Sequence, residues 1–565
     1  MKRIVTAILS LAMIIPALII TAQDVTDNEE ITVVAPYQPS VSDAFKINVS
    51  PRIPAEELEK PEFSFDVLSK QPITKTNLEP ITAARIRGES ISKLYKNYIK
   101  AGFGNYTTPY FEFYANQLRS KKGALGVHVK HWSSSGKIKD YAYPGNSITR
   151  ASVYGKKFFR NQTLSAVVDY DRQGVHYYGY KPDHFPEIDL SKKEIKQVFN
   201  KFNGEIGLAS NHTREGRINY DVNLGYYYLM DKFESTEHNI RFDGGLSGNP
   251  EFFDFSDREK LGITTGVDYF INSDTLTDYS SGTITIKPFY QLGFDQYKFE
   301  AGINTVIESD STSYVHFYPE VKVEVKVVED HLITYAGIRG DLERSSLDGF
   351  RQENPFVITD IEKRFVEFKS QQFGGLKGSI ANFLDYNLSF TNSTIGNMPL
   401  FVNDTNSALG EGLNNQFTVV YDDVKYTKVL AEFGIHLKDN FNLHLKGQYN
   451  NYFLDNEDEA WHRPALEFSV GADYVMQEKI LLRAGLFSRS KMYAKTYTTD
   501  DAGEVVVAAE ELDPMIDLNL GIEYRYSKAL SGFLNLNNIL GQRYYHWYNY
   551  PSYRFNLLLG VAYSF

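Results

Sequence analysis

Apolar and polar residues alternate along most of the chain, from about Tyr95 to the last residue. The closing segment illustrates this best, because its two interleaved sets differ in character. One set is aromatic and aliphatic: Tyr553, Phe555, Leu557, Leu559, Val561, Tyr563 and Phe565. The other set is smaller and more polar: Arg554, Asn556, Leu558, Gly560, Ala562 and Ser564. Successive side chains of a strand point to opposite faces, so the segment predicts a β-strand with one apolar face.

The same alternation recurs in segments of about 9 to 14 residues that are separated by turn residues. Clear examples are 315–327, 464–476 and 515–526. A soluble sheet places its polar face in bulk water. Here many polar faces mix charged residues with Gly and Asn, and no helical layer interrupts the pattern, which suits a hydrated lumen. The pattern therefore predicts an all-β protein, a transmembrane antiparallel outer-membrane β-barrel. A periplasmic sandwich or propeller is the alternative.

Turn lengths predict the number of strands. Both ends of such a barrel face the periplasm, so the strand number is even, and short turns are periplasmic while long loops are extracellular. Taking 416–437 as one long strand satisfies this rule and gives about 22 strands, with 20 and 24 as alternatives. The predicted outer loops are 133–146, 179–196, 343–367, 396–413, 491–513 and 541–552. The connection 249–259 fits poorly, because it is long for a periplasmic turn and carries three phenylalanines.

Composition favours strands and excludes several classes of protein. The chain has 40 Tyr and 38 Phe against 3 Trp and 7 Met, and aromatic side chains suit a pleated sheet. A mean hydropathy of −0.35 excludes a bundle of transmembrane helices. The absence of cysteine excludes disulfides, thiolate metal sites and a lipid-anchored N-terminal Cys. A net charge of −12 argues against a nucleic-acid partner.

The N-terminus predicts export. A basic start, Met1-Lys2-Arg3, precedes an apolar run from Ile4 to Ile20. This pattern is typical of a secretory signal peptide over residues 1–22, with cleavage between Ala22 and Gln23. A membrane anchor helix is the alternative, although the run is short and contains a proline.

Residues 23–95 differ from the barrel predicted for 96–565. Seven of the 20 prolines lie between Pro36 and Pro80, and proline removes a backbone donor and blocks both helices and central strands. The segment also lacks the apolar residues for a core of its own. We expect an extended, Pro-rich arm in the periplasm or in the barrel lumen.

The C-terminal hairpin resembles that of TonB-dependent receptors. Residues 536–551 read LNNILGQRYYHWYNYP, and a closing strand then ends in Phe565. This is similar to the Asn-rich penultimate strand, aromatic Tyr-Pro loop and final strand of that family. The resemblance implies an outer-membrane barrel that mediates uptake or binding of a solute. It also implies that the barrel-assembly machinery reads Tyr563 and Phe565 as an assembly signal.

An early segment is similar to the TonB box, which the energy-coupling protein TonB captures: Glu30, Ile31, Thr32, Val33, Val34 and Ala35. A short periplasmic strand is the alternative. The folded plug domain of the family is clearly longer than residues 36–95, so the plug is reduced or missing here. The expected partners are outer-membrane lipid, the assembly machinery, TonB or another periplasmic protein, and a surface lipoprotein. The alternative function is a structural or accessory barrel that binds partner proteins through its loops and arm without transport.

Catalytic and metal sites are not predicted. His176 with Asp183, His184, Glu187 and Asp189, and the acidic segment 455–462, contain possible cation ligands. Their spacing matches no metal motif, so we expect solvated loops. No H-E-x-x-H, G-x-S-x-G or Walker sequence occurs, and we expect neither an enzyme nor a cofactor.

Aromatic clusters near the predicted strand ends have two interpretations. They are Tyr177, Tyr178, Tyr180, Tyr226, Tyr227, Tyr228, Tyr544, Tyr545, Trp547, Tyr548 and Tyr550. We predict that they form girdles at the membrane interface. Stacking on a sugar is the alternative.

Overall fold

The computed structural model describes residues 95–565, except for 118–119, 211, 213–216, 254–255, 257, 275–277, 382, 406, 408, 411 and 500–504. Three predictions therefore lie outside the described residues. They are the signal peptide with its Ala22–Gln23 cleavage site, the TonB-box-like segment Glu30–Ala35 and almost all of the 23–95 arm.

The regular secondary structure of the described chain consists almost entirely of strands. They are β1 (Asn97–Gly104), β2 (Thr108–Asn116), β3 (Gly123–Ser134), β4 (Asn146–Phe158), β5 (Gln162–His176), β6 (Lys196–Ser210), β7 (Asn219–Met230), β8 (Thr236–Gly248), β9 (Arg258–Ser273), β10 (Asp278–Phe294), β11 (Tyr297–Ser309), β12 (Ser313–Val328), β13 (Leu332–Arg344), β14 (Phe365–Ile380), β15 (Leu384–Asn403), β16 (Phe417–Leu437), β17 (Phe441–Leu454), β18 (Leu466–Met476), β19 (Ile480–Arg489), β20 (Met492–Thr499), β21 (Val505–Leu512), β22 (Met515–Arg525), β23 (Leu530–Asn537), β24 (Tyr545–Trp547), β25 (Tyr550–Pro551) and β26 (Asn556–Ser564).

The helices are short: α1 (Leu347–Glu353) and two 3-10 turns, Pro182–His184 and Lys438–Asn440. Within the described part of the chain, no helix has the length and apolar character needed to cross a membrane.

A single antiparallel sheet of 22 strands closes on itself and forms a barrel. It comprises every strand except the two small hairpins β20–β21 and β24–β25. Closure pairs β1 with β26, from Tyr98 with Ser564 to Gly104 with Leu558. Closure leaves no free sheet edge. The predicted fold class and strand number are confirmed.

The two faces of the barrel wall differ as predicted. On β26, Leu559 and Val561 are 59% and 58% exposed, whereas Leu558 and Ala562 are buried. The exterior of such a barrel faces lipid. Charged pairs such as Lys287–Glu320, at 3.2 Å, lie on the interior. A closed barrel with an apolar exterior and a polar lumen is an outer-membrane protein, so the predicted location is confirmed.

Connection lengths orient the barrel. At one end the connections are 117–122, 159–161, 211–218, 249–257, 295–296, 329–331, 381–383, 438–440, 477–479 and 526–529. At the other end most are longer: 105–107, 135–145, 177–195, 231–235, 274–277, 310–312, 345–364, 404–416, 455–465, 490–514 and 538–555. The first end is therefore periplasmic and the second is the outer end. The single long strand predicted at 416–437 is confirmed by β16.

One predicted outer loop begins later than expected. Residues 396–403, predicted as part of a loop, belong to β15. Met398–Asn403 pair with Phe417–Asp422 of β16 after a register shift that follows Ile395. These pairings extend β15 and β16 towards the outer end, and the loop itself comprises residues 404–416.

Candidate functional site

The long outer loops pack on one another at the outer end of the barrel. One buried cluster consists of Phe350, Val357, Ile361, Phe401, Phe417, Trp547 and Tyr550. A neighbouring cluster consists of Ala142, Tyr177, Tyr180, Ile195 and Leu413. We call these two clusters the cap core, and the loops that carry them the outer-loop cap. Burial of these apolar side chains against one another stabilises the loops as one folded layer.

Hydrogen bonds join loops that start on opposite sides of the barrel. The 177–195 loop and the 404–416 loop leave the wall nearly half of the 22-strand ring apart. Even so, the Asn415 side-chain amide donates to the Tyr177 carbonyl at 2.7 Å. The Tyr177 hydroxyl donates to the Val357 carbonyl at 2.9 Å, and the Tyr550 hydroxyl donates to the Asn415 carbonyl. The cap therefore extends across the mouth of the barrel.

Aromatic rings reinforce these contacts. Phe356 stacks on Tyr550 with ring centroids 3.7 Å apart. Tyr178 meets Tyr550 edge to face at 4.8 Å, and its hydroxyl donates to the Pro551 carbonyl at 3.0 Å. Aromatic pairs in such geometries add about 0.5–1.5 kcal/mol each to their burial.

Helix α1 lies on the lumen side of the barrel wall and contributes Phe350 to the cap core. The Glu237 carboxylate of β8 accepts from the backbone N–H groups of Leu347 and Asp348 at 2.8 and 3.0 Å. It also accepts from the Tyr227 hydroxyl at 2.9 Å. Ser346 caps the helix, since its hydroxyl accepts from the Gly349 N–H at 3.0 Å. An acidic partner suits the first turn of a helix, where N–H groups are unpaired.

Buried charges hold α1 against the wall. Arg351 is 1% exposed and contacts Asp348 at 2.5 Å and Asp171 at 3.3 Å. Lys201 contacts the other oxygen of Asp348 at 2.5 Å. Burial acts to raise the pKa of Asp348, but Arg351 and Lys201 outweigh it and hold the pKa below its usual value. Breaking a buried ion pair leaves an uncompensated charge. Detaching α1 from the wall would therefore be energetically unfavourable.

Histidine 462 connects two parts of the cap. Its Nδ1 lies 3.0 Å from the Phe401 carbonyl, and its Nε2 accepts from the Tyr548 N–H at 3.2 Å. These partners require a neutral ring with the proton on Nδ1. Burial lowers the pKa of His462 to about 3. The prediction of a solvated acidic loop is wrong for His462, which is 7% exposed, and no spacing in the sequence marks it as buried.

The predicted aromatic girdle is wrong for several residues. Tyr177, Tyr180, Trp547 and Tyr550 are at most 5% exposed and belong to the cap core. The reason is that the loops meet above the lumen and bury their rings in one another. Tyr226, by contrast, is 46% exposed on the barrel exterior.

The two groups of candidate cation ligands lie in different surroundings. His176 is buried and hydrogen-bonds the Gly145 carbonyl, whereas Asp183, His184, Glu187 and Asp189 are exposed. Glu457 binds Lys495 at 2.7 Å and accepts from the Trp461 indole at 2.6 Å. Among the residues that the structure describes, no group of three or more His, Asp or Glu is arranged to hold a metal ion.

The predicted assembly residues lie at the end of the lipid-facing row. Tyr563 and Phe565 are 48% and 45% exposed and stack with centroids 5.6 Å apart. Their role as an assembly signal stays a prediction.

Comparisons with known proteins give a fold but no sequence relative. No protein-family model matches the chain, and no curated protein matches it in sequence. The siderophore receptor PirA from Acinetobacter baumannii is similar in structure, with TM-score 0.63 and 8% identity over 84% of this chain and 81% of that chain.

Two further receptors are similar in structure. The pyoverdine outer membrane receptor FpvA from Pseudomonas aeruginosa PAO1 gives a TM-score of 0.60 and 12% identity over 84% of this chain and 79% of that chain. The ferric-catecholate import receptor Fiu from K12 E. coli gives a TM-score of 0.59 and 10% identity over 83% of this chain and 82% of that chain. These identities establish the fold alone. The predicted resemblance to the barrel of TonB-dependent receptors is confirmed, and the part of the chain that is described contains no separate plug domain.

Proposed function

We propose that this protein is an outer-membrane barrel of the TonB-dependent receptor type that mediates uptake or binding of a solute, with the outer-loop cap as its gate. The observation that carries the proposal is the set of contacts across the mouth, which join Asn415, Tyr177 and Tyr550 from loops on different sides of the ring. A barrel of this width is not filled by wall side chains alone, so a folded cap at the outer end is what a solute must pass or bind.

The lumen wall supports a polar solute. Charged pairs line the interior, including Lys377–Glu324 at 3.0 Å and Lys446–Glu432 at 3.5 Å. The similar receptors are named for a siderophore, for pyoverdine and for a ferric catecholate. Capture of the segment Glu30–Ala35 by TonB or another periplasmic protein, as an added strand, would supply the pull that opens the cap.

Planar-bilayer conductance tests the gate. Trp547→Ala combined with Tyr550→Ala removes two rings of the cap core, and truncating a buried aromatic ring costs about 3–5 kcal/mol. We expect this cap variant, in a chain that also lacks residues 24–90, to conduct more than the deletion alone. Tyr524→Ala with Tyr526→Ala is the matched control, because both rings lie exposed near the periplasmic end.

Equal conductance of the cap variant and the control would refute the gate. Binding of partner proteins without any conductance would favour the alternative, an accessory barrel. The β20–β21 hairpin favours that alternative, since it extends from the outer end and exposes Tyr497, Val506 and Val507 at 39%, 44% and 43%. Replacing this hairpin with a short turn should abolish binding of a surface lipoprotein if the accessory function is correct.

A further inference from the structure

The connection 249–257 between β8 and β9 is unusual for a periplasmic turn. It is long, and it exposes Phe252 and Phe253 at 64% and 46%. The sequence rules for periplasmic turns give no reason for exposed phenylalanines at this position. The neighbouring strands provide one.

Glu259 lies on the lipid-facing side of the wall. It shares the alternate face of β9 with Leu261 and Ile263, which are 47% and 36% exposed. Glu259 itself is only 6% exposed. A carboxylate facing lipid without partners would be very unfavourable, so something must cover and satisfy it.

The connection provides that cover. The Glu259 carboxylate accepts from the backbone N–H groups of Phe252 and Phe253 at 2.9 and 2.8 Å. It also accepts from the Ser256 hydroxyl at 2.7 Å and the Tyr290 hydroxyl at 2.6 Å. Both oxygens are therefore satisfied, and Phe252, Phe253 and Ser256 are held against the outside of the barrel wall.

The same level of the wall carries other exposed aromatic rings. Glu259 pairs with Leu292 of β10, and Leu292 pairs with Phe299 of β11. Phe299 and Tyr297 are 38% and 42% exposed on the exterior. The Phe252 ring lies 6.3 Å from the Tyr290 ring. Aromatic rings settle at the membrane–water interface, so Phe252 continues a row of interfacial residues.

We propose that the 249–257 connection is a membrane-interface anchor and that its Phe252 and Phe253 rings insert into the periplasmic leaflet of the outer membrane. Its partner is the phospholipid surface. Lipid is favoured because the anchor continues the lipid-facing wall and because its backbone is bound to a carboxylate on that wall. The anchor does not depend on the proposed transport function.

Site-directed spin labelling tests the anchor, because the chain has no cysteine of its own. The Phe252→Cys protein is labelled with one nitroxide at the new cysteine and reconstituted in vesicles of phosphatidylethanolamine and phosphatidylglycerol. We expect its ratio of oxygen to nickel-chelate accessibility to lie close to that of a lipid-facing Leu261→Cys label. A label at Glu329→Cys, exposed in the periplasmic turn 329–331, should give the low ratio of water.

Adding Glu259→Ala to Phe252→Cys should release the connection and lower its ratio to that of the Glu329→Cys label. The folded barrel, judged by heat-modifiable migration, serves as the control for assembly. A ratio at position 252 equal to that of Glu329→Cys in the intact protein would overturn the proposal. Protection from both reagents in native membranes but not in vesicles would indicate a protein partner and would also overturn it.

Discussion

Acidification should loosen the outer-loop cap through His462. The neutral ring donates from Nδ1 to the Phe401 carbonyl and accepts at Nε2 from the Tyr548 N–H. Protonation places a second N–H against that of Tyr548, so one hydrogen bond is lost. It also buries a positive charge close to Arg463 and Arg489, which lower the pKa further.

The sign and size of the effect follow from the two pKa values. The pKa of His462 is about 3 in the closed cap and about 6.5 for an exposed histidine. Because the folded value is the lower one, the open state binds more protons between these limits, and stability falls as the pH falls from about 6.5 towards 3. At pH 4.5, two units below the exposed value, cap closure should weaken by about 3 kcal/mol.

Tryptophan fluorescence reports the change. The Trp547 ring lies 5.1 Å from His462 and is 5% exposed, so opening should shift its emission to longer wavelength. His462→Gln keeps an amide that can donate to Phe401 but does not titrate. The wild type should show a larger transition between pH 6 and pH 4 than the variant, which keeps the buried His546. Identical pH profiles for the two proteins would refute the reasoning, because every other titrating group is common to both.

Three further predictions concern the wall and the termini. Leu559→Arg, on the lipid-facing side of β26, should cost about 2–4 kcal/mol in denaturant unfolding of the barrel in vesicles. Gly471→Arg, on the lumen side where an added Cβ meets nothing within 4 Å, should cost much less, and equal costs would contradict the assigned faces. Deletion of Phe565 should lower the amount of heat-modifiable barrel in the membrane without changing the activity of each folded molecule, and unchanged amounts would remove its role in assembly. Proline at Thr32 or Val34 should abolish capture by TonB in a crosslinking assay, and normal crosslinking would exclude the TonB box.

The wall could be predicted from the sequence because its signals are local. Alternation assigns each side chain of β26 to a face, and turn length assigns each connection to an end. Alternation does not, however, indicate how much room there is for a larger side chain at a given position. Gly560 faces the lumen as predicted, yet an added Cβ there would lie 2.2 Å from the Ala101 carbonyl oxygen. A substitution at Gly560 would therefore test packing and not the polarity of the lumen.

The cap could not be predicted because its contacts join segments far apart in the chain. Tyr177 and Asn415 are separated by 238 positions, and loop residues carry no period that would pair them. Aromatic residues suit an interfacial girdle and a packed core equally well. What decides between them is whether the loops meet, and that depends on the closure of the whole ring.

Two closures in series change what deletion of the arm should reveal. If the arm of residues 23–95 occupies the lumen, removing residues 24–90 opens the lower part of the path, but the cap still covers the outer end. Conductances in series are limited by the smaller, so the deletion alone should conduct little more than the wild type. The deletion combined with Trp547→Ala and Tyr550→Ala should conduct most and should admit bulky antibiotics in a growth assay. If the cap variant conducts equally with and without residues 24–90, the arm does not fill the lumen. That result would leave any periplasmic role of the arm unaffected.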